Sequence, residues 1–162
     1  MLREIGIVCL DNTNLSLVCL DNTNLSLVAV YLLRDLAIYS SNPKIRQIWF
    51  HDAGYKRTSI RVSNAAKGFL QQRGFGTTDM METKRVNKKW LEKKDLILVM
   101  DKFLKRDWIY DFFPTRVEEM NDKILLFNEF AGIEECIRDP GINYTEDNTP
   151  VFLHVKRCCR QI

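Results

Sequence analysis

Apolar and polar positions follow two different periods along this chain. Near-continuous apolar runs with strand-forming residues occur at 5–8, 14–19, 46–51, 95–100 and 123–127. The run at 95–100 (DLILVM) is the clearest, and such runs suit strands covered on both faces. Between them apolar residues recur at helical spacing. Val28, Leu32, Leu33 and Leu36 predict a helix over 28–39, with Ser26 as its N-cap and Ser40-Ser41-Asn42-Pro43 as its stop. The second strand should stop at Asp52-Ala53-Gly54, and a polar loop rich in Lys and Arg should fill 55–63. A helix over 64–73 ends at Gly74. The charged stretch 77–89 leads into a short helix near 87–92. Phe103, Leu104, Trp108 and Phe112 predict a helix over 101–113, and Pro114 follows it. Residues 132–144 read as a loop around Asp139-Pro140-Gly141. Asn148 or Thr149 caps a last helix that carries Pro150 in its first turn and Val151, Val155, Cys158 and Ile162 as its buried stripe.

Strands alternating with helices imply a parallel sheet with helices on both faces. The expected class is α/β, a three-layer doubly wound domain. A chain of 162 residues without a linker or composition break makes one domain, 1–162. Ligands of such sheets sit beyond the carboxyl ends of the strands at a switch point. The loops after the first strand, after Met100 and around Asp139 are therefore expected to meet there.

One stretch breaks the regular pattern. The decapeptide VCLDNTNLSL occupies residues 8–17 and again 18–27. Each copy is an apolar run ending in a cysteine, then a polar turn, then a serine. Strand, cysteine, loop, serine and helix is an order that sets a thiolate beneath an anion. Loop amides and a helix N-terminus supply the positive field, and that field acidifies the thiol. The competing interpretation is that Cys9 and Cys19 are buried strand residues, since free cysteine packs as a small hydrophobe.

Composition narrows the function classes. At 46% hydrophobic and 28% charged, the chain reads as an ordinary soluble globular protein. A net charge of +3 gives a mild preference for anionic ligands and no footprint for nucleic acid. No apolar run is long enough to span a bilayer, and the N-terminal residues lack a signal-peptide layout. The five cysteines form no zinc-like pairs. A reduced, cytoplasmic setting without metal or cofactor is the expectation.

In this order and spacing the motifs resemble the low-molecular-weight protein tyrosine phosphatases over nearly the whole chain. The family's opening V-C-L-G-N-x-x-R-S-P is matched by Val18-Cys19-Leu20-Asp21-Asn22-Thr23-Asn24-Leu25-Ser26-Leu27. Its D-x-I-L-x-M-D strand is matched by 95–101, and the R-D that follows by Arg106-Asp107. Its S-A-G-T is echoed by Asp52-Ala53-Gly54-Tyr55, and its late Asp-Pro by Asp139-Pro140. The closing helix with paired cysteines in some animal members is matched by residues 156–160. The resemblance implies a phosphotyrosine phosphatase I-like sheet of four parallel strands in the order 2-1-3-4. It implies a cysteine nucleophile at Cys19, with Cys9 the alternative, and a phosphate-binding loop through Leu20, Asp21, Asn22, Thr23, Asn24, Leu25 and Ser26. Asn22 would hold the loop shape, Ser26 would stabilise the thiolate, and Asp139 would act as general acid and then base. The substrate would be a phosphotyrosine protein or a small aryl phosphate or other oxyanion.

The chain departs from the family where the chemistry is most demanding. The C-x5-R arginine is Leu25 counted from Cys19 and Leu15 counted from Cys9. Leucine cannot imitate a planar bidentate cation. Asp21 replaces the loop glycine and Leu27 the proline. Three readings compete: a phosphatase fold with lost or impaired turnover, an active phosphatase using Arg57, Arg61 or Arg106 instead, and an arsenate reductase drawing on Cys136, Cys158 or Cys159. Tyr55, Trp49 or Tyr144 would line a phenol pocket. Copy two runs directly into the helix, which favours Cys19. Residues 1–13 then form an extra arm or strand that invites self-association.

Overall fold

The structure, a computed structural model, describes residues 14–21, 25–56, 62–76, 83–137 and 149–162; for 14–21, Lys56 and Leu104 it describes the backbone alone. Four parallel strands form one sheet: β1 (Asn14–Asp21), β2 (Trp49–Lys56), β3 (Leu96–Val99) and β4 (Ile124–Leu126). Their order is β2-β1-β3-β4. The helices are α1 (Leu25–Ile38), α2 (Pro43–Arg46), α3 (Asn64–Gln71), α4 (Lys88–Glu92), α5 (Lys102–Phe112), α6 (Val117–Lys123), α7 (Phe127–Phe130) and α8 (Thr149–Gln161).

Two hydrophobic clusters sandwich the sheet, and the alternation of strand side chains assigns them to opposite faces. On β3, Leu98 joins the cluster containing Val28, Leu33, Phe69, Phe152 and Val155, while Ile97 and Val99 join the one containing Leu91, Trp108, Ile109 and Met120. Helices α1, α3 and α8 thus cover one face and α4, α5 and α6 the other. Trp108 is fully buried, and Tyr55 and Phe112 pack around its ring.

Local chemistry explains most element ends. Ser63 accepts from the Ala66 N–H at the start of α3, and Asn87 accepts from Trp90 at the start of α4. Asp101 accepts from the Phe103 N–H at the start of α5. Gly74 takes φ +84° just past α3, a left-handed stop that glycine adopts without a Cβ clash.

Several expectations are corrected. Strand β2 does not run over 46–51 or stop at Asp52-Ala53-Gly54; it begins at Trp49 and continues to Lys56. The reason is pairing on both sides. Along β1, Leu17 pairs Asp52, Val18 pairs Ala53, Cys19 pairs Gly54 and Asp21 pairs Lys56. On the outer side the Gly54 N–H donates to the Lys84 carbonyl (2.8 Å) and its carbonyl accepts from Val86 (2.9 Å). Residues 45 and 46 instead belong to α2, which Asn42 caps with Pro43 in the first turn. Ser26 lies inside the first turn of α1 rather than before it. Leu36, placed in a buried stripe by its spacing, is 41% exposed. The short helices α6 and α7 have no clear apolar period and were not anticipated. The strand expected near residues 4–8 lies outside the described residues.

Candidate functional site

The strand order reverses direction of growth between β1 and β3, which makes that junction the switch point. The registers show a step there. Pairing of β1 with β3 ends at Val18 opposite Val99, whereas pairing with β2 runs on to Asp21 opposite Lys56. Cys19, Leu20 and Asp21 therefore pass the end of β3 with a strand neighbour on one side only. From this step β1 leads to α1 on one face, and β3 leads to α5 on the other. This is the edge at which sheets of this kind bind their ligands.

Only residues 22–24 separate β1 from α1. The first turn of α1 carries no acidic side chain, so its N-terminal amides and dipole present positive charge toward that loop. Leu25, Ser26, Leu27 and Val28 at this end are all buried. Ser26 is 0% exposed and engaged in a polar interaction. Leu25 is 1% exposed and belongs to the hydrophobic cluster of the α1 face. At the position where the resemblance expects a phosphate-gripping guanidinium, the chain holds a core leucine.

The second strand furnishes the rest of the described edge. Asp52 is buried, with Lys84 at 3.9 Å. Tyr55 donates its hydroxyl proton to Asp111 on α5 and stacks near Trp108 and Phe112, with ring centroids at 5.6 and 6.1 Å. The Asp111 carboxylate, helped by burial, pushes the Tyr55 phenol above its usual range. Arg85 pairs laterally with Gly54, which itself pairs with Cys19. Two strand spacings, roughly 10 Å, separate the Arg85 and Cys19 backbones. Arg85 went unnoticed in the sequence because 77–89 reads only as a charged stretch; its lateral pairing is a tertiary fact.

The other anticipated residues divide as follows. Cys19, Leu20 and Asp21 lie on the carboxyl end of the central strand. Cys9, Asn22, Thr23, Asn24, Asp139, Tyr144, Arg57 and Arg61 fall outside the described residues. Trp49 starts β2 at the opposite, amino-terminal edge and is 60% exposed, so it cannot line a pocket at the carboxyl edge. Arg106 pairs with the adjacent Asp107 at 3.0 Å and stacks on Phe103. It borders a recess between α5 and α6 with Lys102, Tyr110 and Asn121 rather than the β1 end. Cys158 and Cys159 are buried on α8, and burial pushes Cys158 up to about 11 and Cys159 further still. Among the described residues no cluster of His, Cys, Asp and Glu could hold a metal ion, and no helix is long and apolar enough to cross a membrane.

Comparison with solved structures supplies the fold's kin. A low-molecular-weight phosphotyrosine phosphatase from Vibrio cholerae superposes with a TM-score of 0.76 at 22% identity, covering 92% of this chain and 93% of that one. The YwlE arginine phosphatase from Geobacillus stearothermophilus gives 0.73 at 22% identity, with 92% and 89% covered. The tyrosine phosphatase Wzb from Escherichia coli K30, solved in complex with sulphate, gives 0.72 at 17% identity, with 91% and 94% covered. No protein-family model matches the chain, and no curated protein matches its sequence. The chain shares the fold of the low-molecular-weight protein tyrosine phosphatases.

Proposed function

We propose that this chain is a low-molecular-weight phosphatase homologue with strongly impaired turnover, a cytoplasmic pseudophosphatase of one domain that retains an oxyanion-binding loop. The observation that carries the proposal is Leu25, buried in the core at the arginine position. The loop 20–26 and the N-terminus of α1 still attract a phosphate ester or other oxyanion. Turnover needs interactions that strengthen as the phosphoryl group transfers, and a core leucine offers none. Asp21, next to the loop, adds charge of the wrong sign. Loss of one such donor costs about 10²–10³ in rate.

The residual chemistry follows the resemblance. The Cys19 thiolate attacks phosphorus, forming an S–P bond as the P–O bond to the phenol breaks. Asp139 gives the departing phenolate its proton. Water then attacks phosphorus and passes a proton to Asp139, the S–P bond breaks, and phosphate leaves with the thiolate restored.

A second reading, an active monoesterase with a substitute cation, is favoured by one observation: Arg85 lies beside Gly54 in the row of Cys19. The arsenate-reductase reading loses two of its three thiols. A resolving thiol must be accessible and readily ionised, whereas Cys158 and Cys159 are buried with raised pKa values, which leaves it the exposed Cys136.

The test is p-nitrophenyl phosphate turnover by the parent, Cys19→Ser, Leu25→Arg and Arg85→Ala, alongside vanadate binding. The proposal expects vanadate binding with negligible parent turnover and a rise in Leu25→Arg. Robust turnover abolished by Cys19→Ser overturns it, and additional loss in Arg85→Ala would establish the second reading. Loss of Cys9→Ser activity with Cys19→Ser unaffected would reassign the nucleophile to the first copy.

A further inference from the structure

We infer that the amino-terminal edge of the fold carries a second binding site, for a small anionic amphiphile: an aliphatic chain ending in a carboxylate. Two adjoining recesses form it, and they share Leu36 of α1 and Arg160 of α8. The first, of about 170 Å³, is walled mainly by apolar side chains, among them Leu33, Ile45, Ile48 and Phe50. The second, of about 200 Å³, is bordered by Arg73, Lys156 and Arg160 together with Asp35 and Phe75. Each falls short of the roughly 300–1,000 Å³ of small-molecule sites, and the two together reach the low end of that range.

Charge assigns the head. Three cations border the second recess against one carboxylate, and no ion pair joins Asp35 to Arg73, Lys156 or Arg160. Residues 149–161 of α8 include three cations and no acidic side chain. Arg160 lies in the last turn of that helix, where a cation answers the helix dipole without any ligand. Lys156 stands one turn earlier on the same face, and Arg73 follows a different helix, so the dipole does not account for their convergence on one recess. Arg73 stacks on the Phe69 ring at 3.5 Å and donates to the Phe69 carbonyl at 2.9 Å. Its Nε is buried and makes no hydrogen bond among the described residues, and an orphaned donor of that kind is costly.

Continuity assigns the tail. Arg160 borders both recesses, so a carboxylate held by its guanidinium has its chain at the mouth of the apolar groove. Leu36 also borders both and is 41% exposed, and a chain crossing it covers apolar surface that the fold leaves open. A mostly apolar lining with a few placed charges is the usual make-up of a small-molecule site. Both recesses are concave, which suits an inserted chain better than a bilayer, since a bilayer takes up the protruding apolar face of a surface helix. The site lies at the opposite edge of the sheet from the oxyanion loop and does not rest on the proposed function.

Equilibrium dialysis of decanoate against the full chain tests this, with 1-decanol and acetate as the tail-only and head-only probes. The expected result is saturable, equimolar decanoate binding about tenfold tighter than that of 1-decanol, and no detectable binding of acetate. Added salt should weaken decanoate binding and not that of 1-decanol. Lys156→Gln/Arg160→Gln should weaken decanoate about tenfold and leave 1-decanol unchanged, because only the charge-assisted contacts are lost. Leu36→Asn should weaken both ligands, and cooperative urea unfolding checks that each variant is folded. Equal affinity for decanoate and 1-decanol, or unchanged decanoate binding in the double variant, overturns the inference. So does displacement of decanoate by vanadate, which would put the anion in the oxyanion loop; binding that survives saturating vanadate supports a separate site. Cosedimentation with phosphatidylserine vesicles without binding of free decanoate would assign the patch to a membrane surface and overturn it too. Non-saturable uptake, an adventitious additive only, is the remaining contrary result.

Discussion

At the carboxyl edge of the sheet Asp52 is buried near Lys84, Tyr55 donates to Asp111, Asp101 caps α5, and Ser26 is sealed in the first turn of α1. At the amino-terminal edge Trp49 is 60% exposed and Tyr39 82% exposed, and an apolar groove opens between Leu33, Leu36, Ile45, Ile48 and Phe50. Two of these polar groups, Asp52 and Ser26, are buried at one edge, and apolar groups that would gain by burial stand open at the other. Buried polar groups are tolerated where they are satisfied and where they shape a site. The carboxyl edge thus fits a scaffold around the proposed oxyanion loop.

The largest expected effect comes from placing charge in the apolar part of the carboxyl edge. Leu25→Arg replaces a core side chain with a guanidinium. Unless that cation reaches the loop, an uncompensated buried charge costs about 3–5 kcal/mol. Urea unfolding should show a loss of that order, and saturating vanadate should recover part of it by pairing with the new cation. Full stability without anion would mean that Leu25 is not held in the core as described.

Removing a satisfied polar group should have a smaller effect, and an unequal one at the two edges. Ser26→Ala should cost about 1–3 kcal/mol because it removes the polar interaction of a fully buried hydroxyl. Asn42→Ala, which removes the exposed cap of α2 beside the groove, should cost about 1 kcal/mol or less. Thermal unfolding of both variants measures the contrast, and equal losses would erase the asymmetry.

The pH profile offers a finer probe. Burial, then the charges of Lys94, Arg34 and Lys84, hold His51 below its ordinary value, while Asp52 opposes them. The unfolded chain binds the proton more readily, so this contribution is intact above about pH 6.5 and is lost as pH falls through that value. Urea midpoints should drop between pH 7 and 5, and less so in His51→Gln. The alkaline side runs the other way. Cys158, raised to about 11, keeps its proton in the fold while the unfolded thiol ionises near 9, so stability should decline above pH 9.

Thiol chemistry gives the smallest test, a difference in labelling rate. Cys136 is exposed, whereas Cys158 and Cys159 are buried. Iodoacetamide at pH 8 should modify Cys136 well before either α8 cysteine, as read by peptide mass. Rapid modification of Cys158 or Cys159 would contradict the packing of α8 on α1.

Much of the scaffold was legible because local chemistry and global fold agree. The run DLILVM became β3, the helices expected over 64–73 and near 87–92 formed as α3 and α4, and Gly74 stopped α3 where its left-handed backbone is needed. Alternation of periods was enough to imply a parallel layered sheet, because each period reports which faces of an element must be covered. The substitution of Leu25 for an arginine is likewise a fact of sequence alone.

The remainder depended on neighbours distant in the chain. Asp52-Ala53-Gly54 looks like a stop by composition, yet it continues as β2 because β1 and the 84–86 segment satisfy its backbone on both sides. Leu36 fits a buried period, yet it stays 41% exposed, since a helix's own pattern cannot say where its covering layer ends. That Leu25 lies in the core, that Trp49 stands at the wrong edge for a phenol pocket, and that Arg85 shares a row with Cys19 were settled by register and packing. Sequence specifies which groups must be buried or paired; only the assembled sheet decides which partners meet them.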